Sequence, residues 1–295
     1  MSKIGLVTVL FNSDDVLEDF FRTISYQNYQ NYKLYIIDNS ENLNTDNLII
    51  SLSKKYPISD FVHIKTGSNI GVAAGNNIGI KQAIIDLCSF VLILNNDIVI
   101  EQQNCFTKMV ELAEEKGEKI IANKVLYYEN RKVWMAGGYM DNFRALGVHI
   151  DGDDEKVPKF NQEKYITYAP TCFLFVNSSV FKDVGIMDEK YFAYCDDTDF
   201  VYRCIQKGFK IFYEPSLTIL HKVSSSSGGD NSLFYIYYSN RNKIYFIRKH
   251  YKSFHKLISL SYTLLARSVF YIKFNKIKKQ KLVQAIKDGF ELSIV

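Results

Sequence analysis

The residues in this chain that are best suited to chemistry are carboxylates and amides that follow short apolar segments. The first group closes the stretch Val91–Asp97, in which four apolar residues precede Asn95, Asn96 and Asp97. The apolar part predicts a short buried strand, and open α/β sheets place their ligand sites at the carboxyl ends of such strands. Asp97 would there be a hard oxygen ligand, suited to Mg²⁺ or Mn²⁺ bridging a diphosphate. Asn and Asp are also common in turns, so the assignment needs support from elsewhere in the chain.

The second group consists of Asp196, Asp197 and Asp199, which lie among aromatic residues around the start of a helix predicted from Thr198 to Gln206. Carboxylates at a helix N-terminus can act solely as caps and as partners of the helix dipole. A cap needs only one carboxylate, however, and Asp196 and Asp197 are adjacent. A carboxylate near a second carboxylate or an apolar wall can have its pKa raised toward that of a general base. The pair is therefore a candidate for proton abstraction.

Two further predicted strands are followed by polar side chains. Lys33–Ile37 runs into Asp38, and Phe61–Lys65 is followed by Asn69 in a glycine-rich turn. The carboxyl ends of neighbouring parallel strands meet at one edge of a sheet, so these residues are expected near Asp97. A carboxylate such as Asp38 can accept a hydrogen bond from the ring N–H of a pyrimidine base. The glycines allow the backbone to approach a ligand closely.

Apolar periodicity predicts strands at 4–10, 33–37, 61–65 and 91–94, with helices between them. This alternation predicts an α/β fold, a mostly parallel sheet covered by helices on both faces. The segment Tyr165–Val176 is also strand-like, but Pro170 predicts that it lies at an edge or contains a bulge. The glycine-rich segment Asn69–Gly79 is neither GxGxxG nor a phosphate loop ending in Gly-Lys-Ser/Thr, which disfavours nicotinamide dehydrogenases and P-loop ATPases.

Composition and cysteine use predict an intracellular protein. The 295 residues, 47% of them hydrophobic, suffice for one large domain or for one domain with an appendage. The apolar segment 4–11 leads directly into polar residues, so it predicts no secretory signal peptide. The five cysteines are odd in number and lack CxxC spacing, which argues against a disulfide framework or a zinc site and predicts a reducing cytoplasm.

The C-terminal part of the chain carries an unusual charge. Residues 231–287 contain 13 Lys or Arg and no Asp or Glu, which leaves 23 basic and 32 acidic residues, a net of −9, for the remainder. Leu257–Ile272 is apolar but too short to span a bilayer. One helical face of this segment is apolar and lysines follow it, as expected for a helix lying on an anionic membrane; the face consists of Ile258, Tyr262, Leu265, Val269 and Ile272. An equally weighted alternative is that this helix packs on the catalytic domain or on a second subunit. Nucleic acid fits the basic segment less well than an anionic membrane does.

Several motifs occur in a specific order along residues 3–250. They are Asn69–Gly79, Leu94–Asp97, Trp134–Gly138, Gly185–Glu189, Tyr194–Phe200 with Arg203, Gly208–Ile211, His221 and Tyr238–Asn242. In this order and spacing they resemble the inverting glycosyltransferases of family 2, which have the GT-A fold. Within that family the chain is similar to the non-processive, rhamnosyltransferase-like enzymes of bacterial surface polysaccharide synthesis.

The resemblance implies roles for individual residues. It implies a divalent metal, Mn²⁺ or Mg²⁺, bound by Asp97 at the last position of a DXD-type motif and by His221. Asp197 matches the catalytic base of the family's Glu-Asp pair. The donor would contact Thr8, Asp38, Asn69, Asn77, Asn95 and Asn96, and the acceptor would contact Trp134, Asp196 and Asp199.

Three departures from the family pattern bear on function. Asn95 stands where a full DXD motif has its first Asp, which weakens the expected metal site. Pro170-Thr171 replaces a glycine-containing turn near the expected acceptor site. No Gln-x-x-Arg-Trp motif is present, which argues against a processive synthase.

The sequence also disfavours a sugar nucleotidyltransferase. The residues after the first strand, Phe11–Asp14, lack the glycine-rich basic loop of that enzyme class.

The resemblance implies a division of the chain and a set of partners. Residues 1–230 would form the GT-A catalytic domain, with a nucleotide-sugar-binding half at 1–100 and an acceptor-binding half at 101–230, followed by a basic, aromatic, helical segment at 231–295. The donor would be dTDP-rhamnose, and a UDP-hexose or UDP-galactofuranose remains open. The acceptor would be a lipid-linked glycan, reached by peripheral contact of 231–287 with the inner face of the cell membrane. A homodimer and a catalytically silent sugar-nucleotide-binding protein also remain open.

Overall fold

The fold was analysed in a computed structural model, which describes residues 2–41, 44–58, 60–223 and 231–294. Its strands are β1 (Ile4–Leu10), β2 (Tyr32–Asp38), β3 (Phe61–Lys65), β4 (Phe90–Leu94), β5 (Ile98–Val99), β6 (Ile120–Tyr127), β7 (Val133–Met135), β8 (Gly138–Asp141), β9 (Leu146–His149), β10 (Lys164–Ile166), β11 (Phe173–Asn177) and β12 (Ile211–His221). Its α-helices are α1 (Asp14–Ser25), α2 (Asn44–Lys55), α3 (Val72–Ile85), α4 (Cys105–Glu115), α5 (Ser178–Val184), α6 (Asp196–Gln206), α7 (Leu233–His250), α8 (Ser253–Lys273) and α9 (Lys276–Glu291).

The described strands form one large mixed sheet and a separate hairpin. The order across the sheet is β10-β12-β6-β11-β4-β1-β2-β3, and β8 pairs only with β9. Strands β4, β1, β2 and β3 are mutually parallel, as are β12 and β6, whereas β11 runs antiparallel between β4 and β6. The predicted α/β fold with a mostly parallel sheet is therefore confirmed, with one antiparallel strand at its centre.

The segment Tyr165–Val176 is not one strand. Pro170 lies in the loop between β10, at the edge of the sheet, and β11, in its interior. The predicted edge position is therefore right for β10 and wrong for β11, whose residues Phe173–Val176 are all buried. Proline removes a ladder hydrogen bond only where it sits, so it divides the segment without excluding a central strand after it.

Two helical layers cover the sheet because its strands alternate their side chains between the faces. On one face, Leu6 and Leu34 pack beneath α1, α2 and α4. On the other, Val7 and Tyr35 pack beneath α3, α5 and α6. Helix α3 lies very close to β1: a Cβ atom at Gly79 would stand 2.4 Å from Val7 Cγ1. In the glycine-rich segment, this residue therefore serves helix–strand packing rather than ligand approach.

The C-terminal helices pack on the rest of the chain through a third apolar cluster. Tyr245, Phe246 and Tyr251 at the end of α7 join Tyr191 and Ala145 in this cluster. Helix α9 packs along α7, and a Cβ atom at Gly289 would lie 2.7 Å from the Arg241 carbonyl oxygen. Among the described helices, none combines the length and the apolar character needed to cross a membrane.

Candidate active site

A cavity of about 960 Å³ opens at the carboxyl ends of β1, β2 and β4. It brings together both carboxylate groups singled out in the sequence, which are about 100 residues apart in the chain. The residues from the predicted set that line it are Asn69, Asn95, Asn96, Asp97, Trp134, Asp196, Asp197 and His221. Asn39, Tyr168, Lys243 and Arg267 line it as well.

Strand pairing places Asp97 beside His221. The short strand β5 pairs antiparallel with the end of β12, so that Ile98 lies opposite His221, and the Lys222 amide donates to the Asp97 carbonyl (2.9 Å). His221 Nε2 lies 3.1 Å from Asp97 Oδ1, but the contact lacks the angles of a hydrogen bond. The edge of the Trp134 ring packs against the imidazole, with ring centroids 5.0 Å apart.

The Asp97–His221 pair fits a divalent metal. Asp97 Oδ1 and His221 Nδ1 are both buried and have no hydrogen-bond partner, which is costly unless another ligand satisfies them. Burial by itself would raise the pKa of Asp97, but the His221 ring and the Asn95 amide outweigh it and lower the pKa. The carboxylate is therefore ionised at neutral pH, as a hard cation requires.

A second group of acidic and imidazole side chains lies outside the cavity lining. Asp38, Asp46 and His63 place potential ligand atoms within 4.8 Å of one another, the one such three-residue group in the described part of the chain. His63 Nε2 already lies 3.2 Å from Asp38 Oδ2, and Lys65 pairs with Asp46 at 2.7 Å. Asp46 Oδ1 is buried without a hydrogen-bond partner among the described residues, as Asp97 Oδ1 is, but this cluster lies outside the cavity that holds the other candidate residues.

Asp197 is held by two donors at the wall of the cavity. The Tyr168 hydroxyl donates to Oδ2 (2.6 Å) and the Thr198 amide donates to Oδ1 (2.6 Å). Burial and the charge of Asp197 keep the pKa of Tyr168 well above its ordinary value, so the hydroxyl stays protonated and can donate. Each carboxylate oxygen keeps further acceptor capacity, which leaves Asp197 able to take a hydrogen bond from a bound hydroxyl group.

Asp196 is almost fully buried next to Asp197. Burial and the charge of Asp197 raise the pKa of Asp196 well above its ordinary value. The sequence predicts a raised pKa for the general base itself. In the structure, the residue with the raised pKa is the adjacent Asp196. At neutral pH Asp196 is therefore protonated, so the adjacent carboxyl groups do not carry two repelling charges.

A strained turn aims these two residues into the cavity. Tyr194 and Cys195 both adopt left-handed backbone angles, with φ of 65° and 63°, immediately before α6. Such angles cost free energy in non-glycine residues and are found where surrounding contacts impose them. The buried Asn242 side chain, on α7, donates to the carbonyl oxygens of Ala193 (2.7 Å) and Tyr194 (2.8 Å).

The same turn is joined to the glycine-rich segment. Gly71 has a φ of 88°, and a Cβ atom there would stand 2.5 Å from the Phe192 carbonyl oxygen. That carbonyl accepts from the Val72 amide (2.8 Å), and the Asn39 side chain donates to the Gly71 carbonyl (3.2 Å). The two sides of the cavity are thus linked through backbone contacts that only glycine at position 71 permits.

The other predicted site residues do not line the cavity. Thr8 is fully buried in β1, and Asp38 is buried and accepts from the Ser40 amide (2.8 Å). Burial would raise the pKa of Asp38, but the hydrogen bonds from His63 and Ser40 outweigh it and lower the pKa. Asn77 is engaged with the backbone of Met187, donating to its carbonyl and accepting from its amide, both at 2.9 Å.

Asp199 points away from the cavity into a group of cations. Its carboxylate is fully buried and contacts Arg203 Nε (2.7 Å), Lys249 Nζ (2.8 Å) and His250 Nε2 (2.7 Å). Burial would raise the pKa of Asp199, but the His250 hydrogen bond and the neighbouring charges of Arg203 and Lys249 outweigh it and hold the pKa far below its ordinary value. Asp199 therefore ties α6 to α7.

Sequence reasoning missed several residues of the site. Tyr168 precedes Pro170 in a strand-like segment, and no pattern there marks it as a partner of Asp197. Asn242 closes the motif Tyr238–Asn242, so the motif contained a signal for it. Lys243 and Arg267 were counted only as part of the basic tail. The serine- and glycine-rich run at 224–229 lies outside the described residues.

Comparisons with known proteins place the chain in a family. The profile of Glycosyl transferase family 2 matches residues 6–185. A low-salt glycan biosynthesis hexosyltransferase, Agl10, of Haloferax volcanii is 22% identical over 82% of this chain and 75% of its own. The rhamnosyltransferase WbbL of Escherichia coli is 23% identical over 73% of this chain and 82% of its own. The structure of a Pyrobaculum calidifontis mannosyltransferase with GDP-Man and Mn²⁺ superposes with a TM-score of 0.59 at 10% identity, over 100% of this chain and 76% of the other. Because the family profile covers more than half of the sequence, the chain belongs to glycosyl transferase family 2 and is a glycosyltransferase with the GT-A fold.

Proposed function

We propose that this glycosyltransferase is metal-dependent, inverting and non-processive, and that it moves rhamnose from dTDP-rhamnose to a hydroxyl group of a lipid-linked glycan in bacterial surface polysaccharide synthesis. The observation that carries the proposal is that Asp197 and the Asp97–His221 pair line one cavity, each with unused ligand or acceptor capacity. The similarity to a rhamnosyltransferase supports the choice of donor sugar.

In this mechanism Asp197 is the general base. It accepts the proton of the acceptor hydroxyl group while that oxygen attacks the anomeric carbon, and the bond to the nucleoside diphosphate breaks as the new bond forms. A single displacement inverts the configuration at that carbon. Tyr168 and Thr198 fix the orientation of the carboxylate, and Asp196, being protonated, leaves Asp197 as the ionised member of the pair.

The donor would occupy the part of the cavity formed by residues 1–100. Asp97 and His221 would hold a divalent cation, Mn²⁺ or Mg²⁺, which when bound offsets the charge of the leaving diphosphate. The presence of Mn²⁺ and GDP-Man in the structure of the similar mannosyltransferase supports a divalent metal. Asn69, Asn95 and Asn96 offer amides to the donor from the cavity wall. Asp38 and Thr8 remain the proposed contacts of the base, although their side chains are buried behind the wall.

The proposed donor chemistry is tested by nucleotide release. We expect purified protein with Mn²⁺ to release dTDP slowly from dTDP-rhamnose, and chelator to abolish the release. Asp97→Asn should weaken the response to metal at least tenfold, because it removes the ionised ligand while keeping the shape of the side chain. The measurement is free nucleoside diphosphate from a panel of dTDP-, UDP- and GDP-sugars.

The other outcomes of that panel separate the alternatives. Release from a UDP-hexose or UDP-galactofuranose would retain the mechanism and replace the donor. Nucleotide binding by calorimetry without release from any donor, even with a lipid-linked glycan added, would identify a silent sugar-nucleotide-binding protein. Asp153→Asn, on the exposed surface, is the matched control and should behave as the unmodified protein.

We also propose that α8 lies on an anionic membrane surface. Its buried residues are Ser259 and Thr263, whose hydroxyl groups have no hydrogen-bond partner in the described part of the chain, whereas most of its exposed side chains are apolar or aromatic. Leu257, Leu265 and Ile272 are 64%, 69% and 77% exposed. This is the reverse of the usual arrangement for a helix in water. The absence of acidic residues from 231–287 supports an anionic lipid surface as the occupant.

Vesicle binding tests this orientation of α8. We expect the protein to sediment with vesicles of mixed phosphatidylcholine and phosphatidylglycerol, and binding to weaken about tenfold or more in a triple variant, Leu257→Ser with Leu265→Ser and Ile272→Ser. Ile85→Ser, an equally exposed apolar residue on α3, is the matched control. If the triple variant instead kept vesicle binding and converted a dimer to a monomer in light scattering, α8 would be a subunit interface.

A further inference from the structure

Two cations in the cavity wall have no counter-ion. Lys243 on α7 and Arg267 on α8 both line the cavity and are half-buried. Within residues 2–41, 44–58, 60–223 and 231–294, neither makes a hydrogen bond or an ion pair, and Arg267 Nε is buried without an acceptor. The Arg267 guanidinium lies over the Phe270 ring, 5.5 Å from its centroid.

Other half-buried cations near the cavity are neutralised. Lys249 pairs with Asp188 and Asp199, Arg203 pairs with Asp199, and Lys222 pairs with Asp19. Charged groups removed from water are costly unless they are paired. In the described part of the chain, these three cations have carboxylate partners whereas Lys243 and Arg267 on the cavity wall have none, which is expected where the missing anion is a ligand.

The electrostatic surroundings of Lys243 agree with this view. Burial, followed by the positive charge of Arg267, lowers the pKa of Lys243 to about 8. The Asp141 carboxylate acts on it in the opposite direction, but this group is already bound by Arg144 Nε at 2.8 Å. Two neighbouring positive charges that are partly removed from water attract an anion strongly. The anion stabilises each charged group and reduces the electrostatic repulsion between them.

The position of the two cations indicates which anion they would bind. The groups that act most strongly on Lys243, which are Arg267, Cys195, Arg144 and Asp141, all belong to residues 141–267 rather than to the donor half at 1–100. Arg267 also lies on α8, whose outward face carries the exposed apolar side chains. An anion bound here would therefore be next to the proposed membrane surface and apart from Asp97.

We propose that Lys243 and Arg267 form a binding subsite for the phosphate or diphosphate group that joins the acceptor to its lipid. The inference rests on the proposed transferase function and names the part of the acceptor that this chain recognises. The planar guanidinium of Arg267 can bind two phosphate oxygens at once, and Lys243 adds a point charge. The lipid chain would leave the cavity toward the apolar face of α8, and the glycan would extend inward to Asp197.

The test uses the full chain and farnesyl diphosphate as the probe, with farnesol to report the hydrocarbon alone. In calorimetry with saturating dTDP and Mn²⁺, we expect the protein to bind farnesyl diphosphate far more tightly than farnesol. Lys243→Gln and Arg267→Gln should each weaken that binding about 10–100-fold and leave the affinity for dTDP unchanged. Lys252→Gln, which removes an exposed charge at the start of α8, is the matched control and should bind as the unmodified protein.

Two further readouts distinguish a ligand site from a structural role. Because each substitution removes an uncompensated charge, thermal stability should stay equal or rise, whereas loss of a structural cation would lower it. Probe binding should weaken as the pH rises above about 8, where free Lys243 loses its charge, and Lys243→Arg should flatten this dependence. The facing groups Arg267, Arg144 and Asp141 keep their charges over that range.

The outcomes separate the subsite from the proposed function. If the two variants lost affinity for dTDP while binding farnesyl diphosphate normally, the cations would serve the donor diphosphate and the inference would be wrong. Equal binding of the probe by all variants would also contradict it. If no nucleotide bound at all but the probe, tested without nucleotide, still depended on both cations, the subsite would stand and the transferase proposal would fail.

Discussion

Asp197→Asn is expected to lower the rate of sugar transfer by about 10²- to 10⁴-fold, the usual contribution of a general base. The amide has the shape of the carboxylate, its single oxygen can accept from the Thr198 amide, and the Tyr168 hydroxyl can rotate to accept from its NH₂ group, so the turn before α6 should keep its geometry. It cannot accept the proton of the attacking hydroxyl group. The measurement is the initial rate of product formation, with donor affinity measured separately by calorimetry and expected to be unchanged.

Asp196→Asn is the informative control because the two residues are adjacent and chemically identical. Asp196 is protonated at neutral pH, and an amide closely resembles a neutral carboxylic acid in size and hydrogen bonding. We expect this variant to keep its transfer rate within about tenfold, which is below the loss expected for a general base. A larger loss in Asp196→Asn than in Asp197→Asn would reverse the two roles, and an unchanged transfer rate in both variants would mean that another group is the base.

Asp196, Asp197 and Asp199 show which features of the site can be predicted from the sequence and which cannot. The principle that ligand sites lie at strand ends correctly located Asn95–Asp97 beside the cavity, because it depends only on a buried strand and its parallel neighbours. Adjacency singled out Asp196 and Asp197, both of which line the cavity, and their roles stay a prediction. It could not separate them from Asp199, whose partners Lys249 and His250 lie 50 residues away on α7.

Long-range contacts also determine the features that the sequence did not reveal. Strand β11 is antiparallel because the chain turns at Pro170 and enters between β4 and β6, and local periodicity contains no information on strand order. The predicted apolar face of the C-terminal helix is only partly the exposed one, since Tyr262 packs on Phe143. The helix buries Ser259 and Thr263 instead, a choice that apolar patterning cannot predict.

Asp199→Asn is expected to lower the free energy of unfolding by about 3–5 kcal/mol, the range observed when one partner of a buried ion pair is removed. The substitution leaves Arg203, Lys249 and His250 close together without their common counter-charge. Arg203 also donates to the carbonyl oxygens of Val184 and Ile186. The loss of stability should therefore extend to the segment that contains these two residues. The measurement is urea unfolding followed by circular dichroism at neutral pH.

The control and the pH dependence make this effect specific to the buried charge. Asp153→Asn removes a carboxylate whose pair with Lys132 is exposed, so it should cost less than about 1 kcal/mol. The folded-state pKa of Asp199 is depressed, so its contribution is complete above the ordinary carboxyl value of about 4 and is lost as the pH falls below it. The gap between the unmodified protein and Asp199→Asn should therefore narrow in acid. A gap below 1 kcal/mol at neutral pH would mean that other groups compensate Arg203 and Lys249, and that α6 is fixed to α7 by the aromatic contacts of Tyr202 with Phe246 and Tyr251 instead.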